Sequence, residues 1–87
     1  MNAREYITED MTLVAVLKLR GMEPDRMEKS NGGCKWIYAC TPSLEDVVDE
    51  YQAEEAYIEP REFSRKLGLV RTEMYRFLGV QPRRVRR

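Results

Sequence analysis

The sequence of 87 residues contains no histidine and only two cysteines, Cys34 and Cys40. Without an imidazole, the chain has no Ser-His or Cys-His pair for nucleophilic catalysis. Two thiols without a histidine also leave a structural zinc ion without its usual four ligands. We therefore expect no catalytic residue, no metal and no cofactor, and we predict that the protein is not an enzyme.

The sequence also lacks a long apolar run and a phosphate-binding glycine loop. No segment approaches the roughly 20 apolar residues of a membrane span, and residues 1–10 are too polar and acidic for a signal peptide. Gly32-Gly33 is typical of a turn, because no Lys-Ser/Thr follows it at the spacing of a phosphate loop. We expect a cytoplasmic protein with no membrane partner and no small-molecule substrate.

The two cysteines are expected to remain free thiols. If both lie on one strand, their spacing of six residues separates them by about 20 Å, whereas a disulfide needs Cα atoms within about 7 Å. Two free thiols agree with a reducing compartment.

The remaining composition is typical of one small globular domain, and we assign residues 1–80 to it and residues 81–87 to a basic tail. Its most periodic segment is 59–80, in which spacings of three, four and seven place apolar residues on one face of a helix. Pro60 suits the first helical position and Gly79 the end. We expect this helix to supply most of the helical side of the core, through Phe63, Leu67, Val70, Met74, Phe77 and Leu78.

The amino-terminal half predicts a strand, a helix and a hairpin. Residues 4–7 are a short candidate strand, and Thr8, or alternatively Asp10, would cap a helix over 11–20 that Gly21 ends. Residues 22–30 and 34–40 flank Asn31-Gly32, which is typical of a type I′ hairpin turn.

Trp36 and Tyr38 point to one face of the second hairpin strand. They either form the core beneath the helices or present a platform on which nucleic-acid bases stack.

Ser43 is the expected cap of a second helix, whose outer face is acidic, and residues 56–58 form a link or a fourth strand. Together these elements predict an α+β fold in the order β-α-β-β-α-α, with three helices packed against a small, mainly antiparallel sheet.

Charge is divided unevenly along the chain. Residues 61–87 hold nine basic and two acidic residues, and residues 1–60 hold six basic and thirteen acidic ones. Such asymmetry indicates an anionic partner or only a solvated helix face. The basic candidates are Arg61, Arg65, Arg76, Arg83, Arg84, Arg86 and Arg87.

Two functions fit this pattern. The first is a small protein-interaction module or modulator that uses the acidic second helix or the basic third helix, on an unknown protein partner or by self-association. The alternative is a nucleic-acid-binding accessory protein in which the arginines contact phosphates, with steep salt dependence and little sequence specificity.

The order of motifs resembles a known family. A helix ending in Leu19-Arg20-Gly21, the strand 35–38, an acidic helix reaching Tyr51 and the segment 58–63 are similar, over residues 6–78, to small bacterial and phage-associated proteins known as a domain of unknown function. The resemblance implies a compact α+β domain and a setting near mobile elements. It carries over no catalytic or binding residue.

Overall fold

The computed structural model describes residues 4–55 and 58–79. It confirms the α+β fold, with a three-stranded antiparallel sheet and three helices in the expected order. The elements are β1 (Glu5–Thr8), α1 (Met11–Leu19), β2 (Arg26–Ser30), β3 (Gly33–Ala39), α2 (Pro42–Gln52) and α3 (Pro60–Leu78). Of the proposed fourth strand, residues 56 and 57 lie outside the described part, and Ile58 is not in a strand.

The sheet has the order β1-β3-β2, so β3 is central and pairs with both neighbours. The β2–β3 hairpin is confirmed, with Ser30 paired to Gly33 around Asn31-Gly32. Of the two turn residues only Gly32 has a positive φ, +78°. A type I′ turn needs positive φ at both positions, so the predicted turn type is wrong.

Strand β2 is shorter than predicted and begins at Arg26 rather than at residue 22. Pro24 lacks the N–H of a ladder residue. The chain nevertheless reaches the sheet just after it, where the Asp25 N–H donates to the Ile37 carbonyl oxygen at 2.7 Å.

One face of the sheet carries the core. Trp36 and Tyr38 are almost fully buried there with Cys34, and Tyr6 and Met27 pack beside them. The core interpretation of the two aromatic residues is therefore confirmed, and neither ring is available to stack on a base.

Ile37 lies on the opposite face of the sheet, outside the core cluster, yet it is only 1% exposed. Its neighbours on that face are Ile7 of β1 and Arg26 of β2. The Arg26 Nη1 donates to Glu5 Oε2 at 2.8 Å. Because β1 and β2 lie on either side of β3 in the sheet, this ion pair crosses the central strand and covers Ile37.

Helix α1 is the central helix of the domain, and five of its apolar residues are buried: Leu13, Val14, Ala15, Val16 and Leu17. The Asp10 carboxylate caps it by accepting from the Thr12 and Leu13 N–H groups. Thr8, the other predicted cap, instead accepts from the Asp10 N–H at 3.1 Å.

Helix α3 contributes less to the core than the sequence predicted. Only Val70 is fully buried, while Phe63, Leu67, Met74 and Leu78 are partly buried against the core. The predicted face is correct except for Phe77, which is exposed. The expectation that α3 supplies most of the helical core is wrong, because α1 contributes five buried apolar residues and α3 contributes only Val70.

The ends of the other helices follow local rules. Thr41, not Ser43, caps α2 by accepting from the Leu44 N–H at 3.1 Å, and Pro42 occupies the first turn. The Glu59 carboxylate caps α3 ahead of Pro60, and Gly79 ends it at φ +73°, as expected for a left-handed cap.

Candidate functional site

The outer face of α3 carries a row of exposed residues that we call the basic stripe: Arg61, Arg65, Leu69, Thr72 and Arg76. Their spacings of four, four, three and four keep them on one side of the helix. The opposite side holds Val70 against the core. Burial of that side therefore fixes the stripe toward solvent.

The arginines of the basic stripe differ in their pairing. Arg65 Nη1 contacts Glu62 Oε2 at 2.8 Å on the helix surface, a type of pair that contributes little in water. Within residues 4–55 and 58–79, neither Arg61 nor Arg76 has a carboxylate oxygen within 4 Å. These two guanidinium groups are available to an anionic partner.

The structure brings together only part of the predicted basic set. Arg61, Arg65 and Arg76 share the basic stripe, whereas Arg83, Arg84, Arg86 and Arg87 lie outside the described residues. Arg71 is also exposed, but at 100° per residue it falls on the opposite flank of α3. It supplies a matched control for experiments on the stripe.

Leu69 was missed by the sequence analysis. It is 48% exposed and stands between Arg65 and Arg76 on the helix surface. Its helical angle already places it with the arginines rather than with Leu67 and Val70. That signal was present in the sequence, but the many apolar residues on the other face of the helix drew attention away from Leu69.

Helix α2 presents the acidic surface. Glu45, Asp46 and Asp49 are exposed on it, and Glu50 is held by Arg20 Nη2 at 2.9 Å. Between α2 and β1 lies an open groove of about 470 Å³. Leu44 and Val48 of α2 and Tyr6 of β1 line it, with the Glu45 and Asp49 carboxylates at its rim.

The two thiols are free. Burial, with a smaller effect of Glu9, raises the pKa of the Cys34 thiol. The hydrogen bond from Cys40 Sγ to Glu45 Oε2, at 3.2 Å, likewise raises the pKa of Cys40. A thiol is nucleophilic as its thiolate, so both shifts oppose reactivity.

A buried ammonium joins α1 to α3. The Lys18 side chain is 6% exposed, and its Nζ lies 2.7 Å from Glu23 and 3.2 Å from Glu73. Burial disfavours the charged form, but the hydrogen bonds to the two carboxylates outweigh it and raise the pKa of Lys18. This cluster ties helices together rather than forming a reactive site.

The described residues contain no group of three or more cysteine, aspartate or glutamate side chains placed to hold a metal ion. Among the described helices, none combines the length and apolar character needed to cross a bilayer.

Comparison with known proteins gives one family. No curated protein and no solved structure matches the chain. A family model described as a domain of unknown function, DUF5659, matches residues 3–76. That match includes all three strands, helices α1 and α2, and α3 as far as Arg76, so the basic stripe lies inside it and the arginines of the tail lie beyond it. By this match over most of its length, the chain belongs to the DUF5659 family.

Proposed function

We propose that this domain is a small non-catalytic protein-interaction module, and that the basic stripe of α3 binds an acidic surface of its partner. The observation that supports this function is the exposure of Leu69 between Arg65 and Arg76. The partner therefore offers carboxylates around a small apolar patch.

The composition of the stripe favours a protein over a nucleic acid. Arginine is enriched at protein–protein interfaces, and a buried apolar residue surrounded by polar ones is their usual arrangement. The stripe from Arg61 to Arg76 is about 22 Å long at 1.5 Å per residue. A phosphate backbone would pair with the arginines but would leave Leu69 without an apolar contact.

The module can be tested by quantitative capture from cells, comparing the unaltered chain with Leu69→Ser and Arg76→Glu. Arg71→Glu serves as the control, because it makes the same charge change on the other flank of α3. We expect a protein that the unaltered chain and the Arg71→Glu variant retain and the two stripe variants lose. If the Arg71→Glu variant lost the captured protein to the same extent, the loss would be an effect of net charge, and the basic stripe would not be the binding surface.

Nucleic-acid binding is the second candidate, and the unpaired state of Arg61 and Arg76 in the described structure favours it. The sequence adds four arginines within residues 82–87. Anisotropy of labelled duplex and single-stranded DNA, at about 50 and about 200 mM salt, would show a steep loss of affinity if phosphates are the ligand. The measurement is repeated without residues 82–87, and no binding at the lower salt would end this candidate.

Three further predictions concern the setting of the protein rather than its chemistry. They are a cytoplasmic location, an association with phage or other mobile elements, and self-association between the acidic and basic surfaces. Light scattering at two salt concentrations tests the last of these, because such a dimer would dissociate as salt rises.

A further inference from the structure

We propose that the outer edge of β1 and the groove beside it bind an extended peptide segment, which adds to the sheet as an outer strand and places an arginine or lysine in the groove. This site lies on β1 and α2, away from the basic stripe, and does not rest on the function proposed for α3.

The first support is the direction of the β1 backbone. The Cys40 N–H donates to the Arg4 carbonyl oxygen at 3.0 Å, so that pair is a hydrogen-bonded one. Antiparallel pairs alternate between bonded and non-bonded, and the register Glu5↔Ala39 and Ile7↔Ile37 makes both of these pairs non-bonded. The Ile37 carbonyl agrees, because it accepts from Asp25 on the β2 side. The backbone groups of Glu5 and Ile7 therefore point away from the sheet.

The second support is that no strand within residues 4–55 and 58–79 pairs with the outer edge of β1. The sequence of β1 also contains neither the proline nor the lysine that often protects an edge. Ile7 is 51% exposed on the face of the sheet opposite the core. An added strand would bond to Glu5 and Ile7 and cover part of this side chain.

The third support is the position of the groove. It lies between β1 and α2, on the helix side of the sheet, with Leu44, Val48 and Tyr6 along its apolar surface. Alternate side chains of an added strand point to this side. In strand addition, main-chain bonds give affinity and pockets for alternate side chains give specificity. The groove is the pocket for one such side chain.

The carboxylates at the rim of the groove favour a positively charged side chain in it. Glu45 and Asp49 stand one turn apart on α2, and neither has an ion-pair partner within the described ranges. Arg4 is the one basic residue that lines the groove among those described. An arginine or lysine would lay its aliphatic stem on the apolar surface and reach the carboxylates with its charged end.

A second copy of the chain fits this edge less well. Antiparallel pairing of two β1 strands about a twofold axis would bring two α2 helices to the same seam. Each helix carries Glu45, Asp46 and Asp49 without a basic residue in α2. Like charges would then repel across the interface.

The test uses seven-residue peptides, Thr-Val-Thr-X-Thr-Val-Thr, in which X is Arg, Lys, Leu or Glu. Amide chemical shifts of the isotopically labelled full chain are followed during titration. We expect the Glu5 and Ile7 amides to shift most, and the Arg peptide to bind about five- to tenfold more tightly than the Glu peptide. N-methylation of alternate peptide amides, which blocks the edge bonds, should abolish the shifts.

Two variants locate the charge effect. Asp49→Lys, at the rim, should reduce the preference for the Arg peptide at least about fivefold, whereas Asp46→Lys, on the same helix but outside the groove, should leave it within twofold. Arg76→Glu should change nothing, which separates this site from the basic stripe. The proposal is overturned if no peptide shifts the Glu5 and Ile7 amide signals, or if the Arg and Glu peptides bind equally. It is also overturned if the chain sediments as a dimer and those amides are already protected from hydrogen exchange without peptide.

Discussion

Helices α1 and α3 differ in length and burial in opposite senses. Helix α1 has nine residues, of which six are buried, and α3 has nineteen, of which only Val70 is buried. The apolar residues of α1 surround the helix, whereas most of those of α3 lie on one face and Leu69 lies on the other. A helix that is apolar on all sides belongs in the interior, and an amphipathic one belongs at the surface. A strong amphipathic pattern therefore indicates which face of a helix is buried. Apolar residues around the whole circumference indicate that the helix itself lies in the interior.

The deeper burial of α1 predicts that the largest loss of stability follows a substitution in this helix. Leu17→Ala should lower the free energy of unfolding by about 3–4 kcal/mol, because the fully buried site leaves a cavity. Leu67→Ala, at a half-buried site of α3, should cost about 1–2 kcal/mol. Urea denaturation measures both. Equal losses would mean that α3 is as central to the core as α1.

The link between the two helices can be broken from its acidic side. Glu23→Ala combined with Glu73→Ala should cost about 3 kcal/mol, because the Lys18 ammonium is then buried without a partner. Lys18→Met should cost less than about 1 kcal/mol, since an apolar side chain of similar size often replaces a buried ion pair without loss. If Lys18→Met proves the more damaging change, the ion pairs themselves stabilise the contact between α1 and α3.

The burial of Tyr38 beneath the helices predicts that the protein loses stability at alkaline pH. Burial, with Glu23 and Glu73 nearby, raises the pKa of Tyr38 above its usual 10. As pH rises, the Tyr38 hydroxyl therefore ionises in the unfolded chain before it does so in the folded protein. Its contribution to the free energy of unfolding declines as pH rises from 10 toward the higher pKa of the folded state. Tyr38→Phe should flatten this decline, measured as the urea midpoint between pH 9 and pH 11.

At pH 7 the same variant should change stability by no more than about 1 kcal/mol, since the Tyr38 hydroxyl has no hydrogen-bond partner within the described chain. A loss well above that value would show that the hydroxyl is bonded. Burial and the bond to Asp10 raise the pKa of Tyr51 to about 12, so part of the alkaline decline should persist in the variant.

The smallest effect is expected at Leu69. Because the side chain is half exposed on the outer face of α3, Leu69→Ser should alter the free energy of unfolding by less than about 0.5 kcal/mol. The same variant is expected to abolish partner binding. A large loss of stability would instead place Leu69 in the fold and remove it from the proposed interface.

Much of the fold was predictable because its signals are local. The strand 34–40 is rich in aromatic and β-branched residues, Asn31-Gly32 marks the hairpin, and Pro60 and Gly79 bracket α3. Errors occurred where two local signals competed. Thr41 and Ser43 can both cap a helix, and only the backbone path in the structure selects Thr41.

The candidate sites were less predictable. The sequence indicated the exposed arginines of α3, because the periodicity that buries Val70 leaves Arg61 and Arg76 outside. It did not indicate the groove beside β1, because the groove needs Tyr6 and Val48, distant in sequence, to approach each other in the folded chain. The same holds for the Arg26–Glu5 ion pair over Ile37.

The sequence by itself determined the order of the elements, most of their boundaries and the outward direction of the basic stripe. Each of these depends on side chains and backbone groups only a few residues apart. Tertiary structure alone decided that α1 is the central helix, that Lys18 bridges to Glu73, and that the outer edge of β1, which is unpaired among the described residues, lies beside an acidic groove. These features depend on which distant segments pack together, and packing is a property of the whole chain.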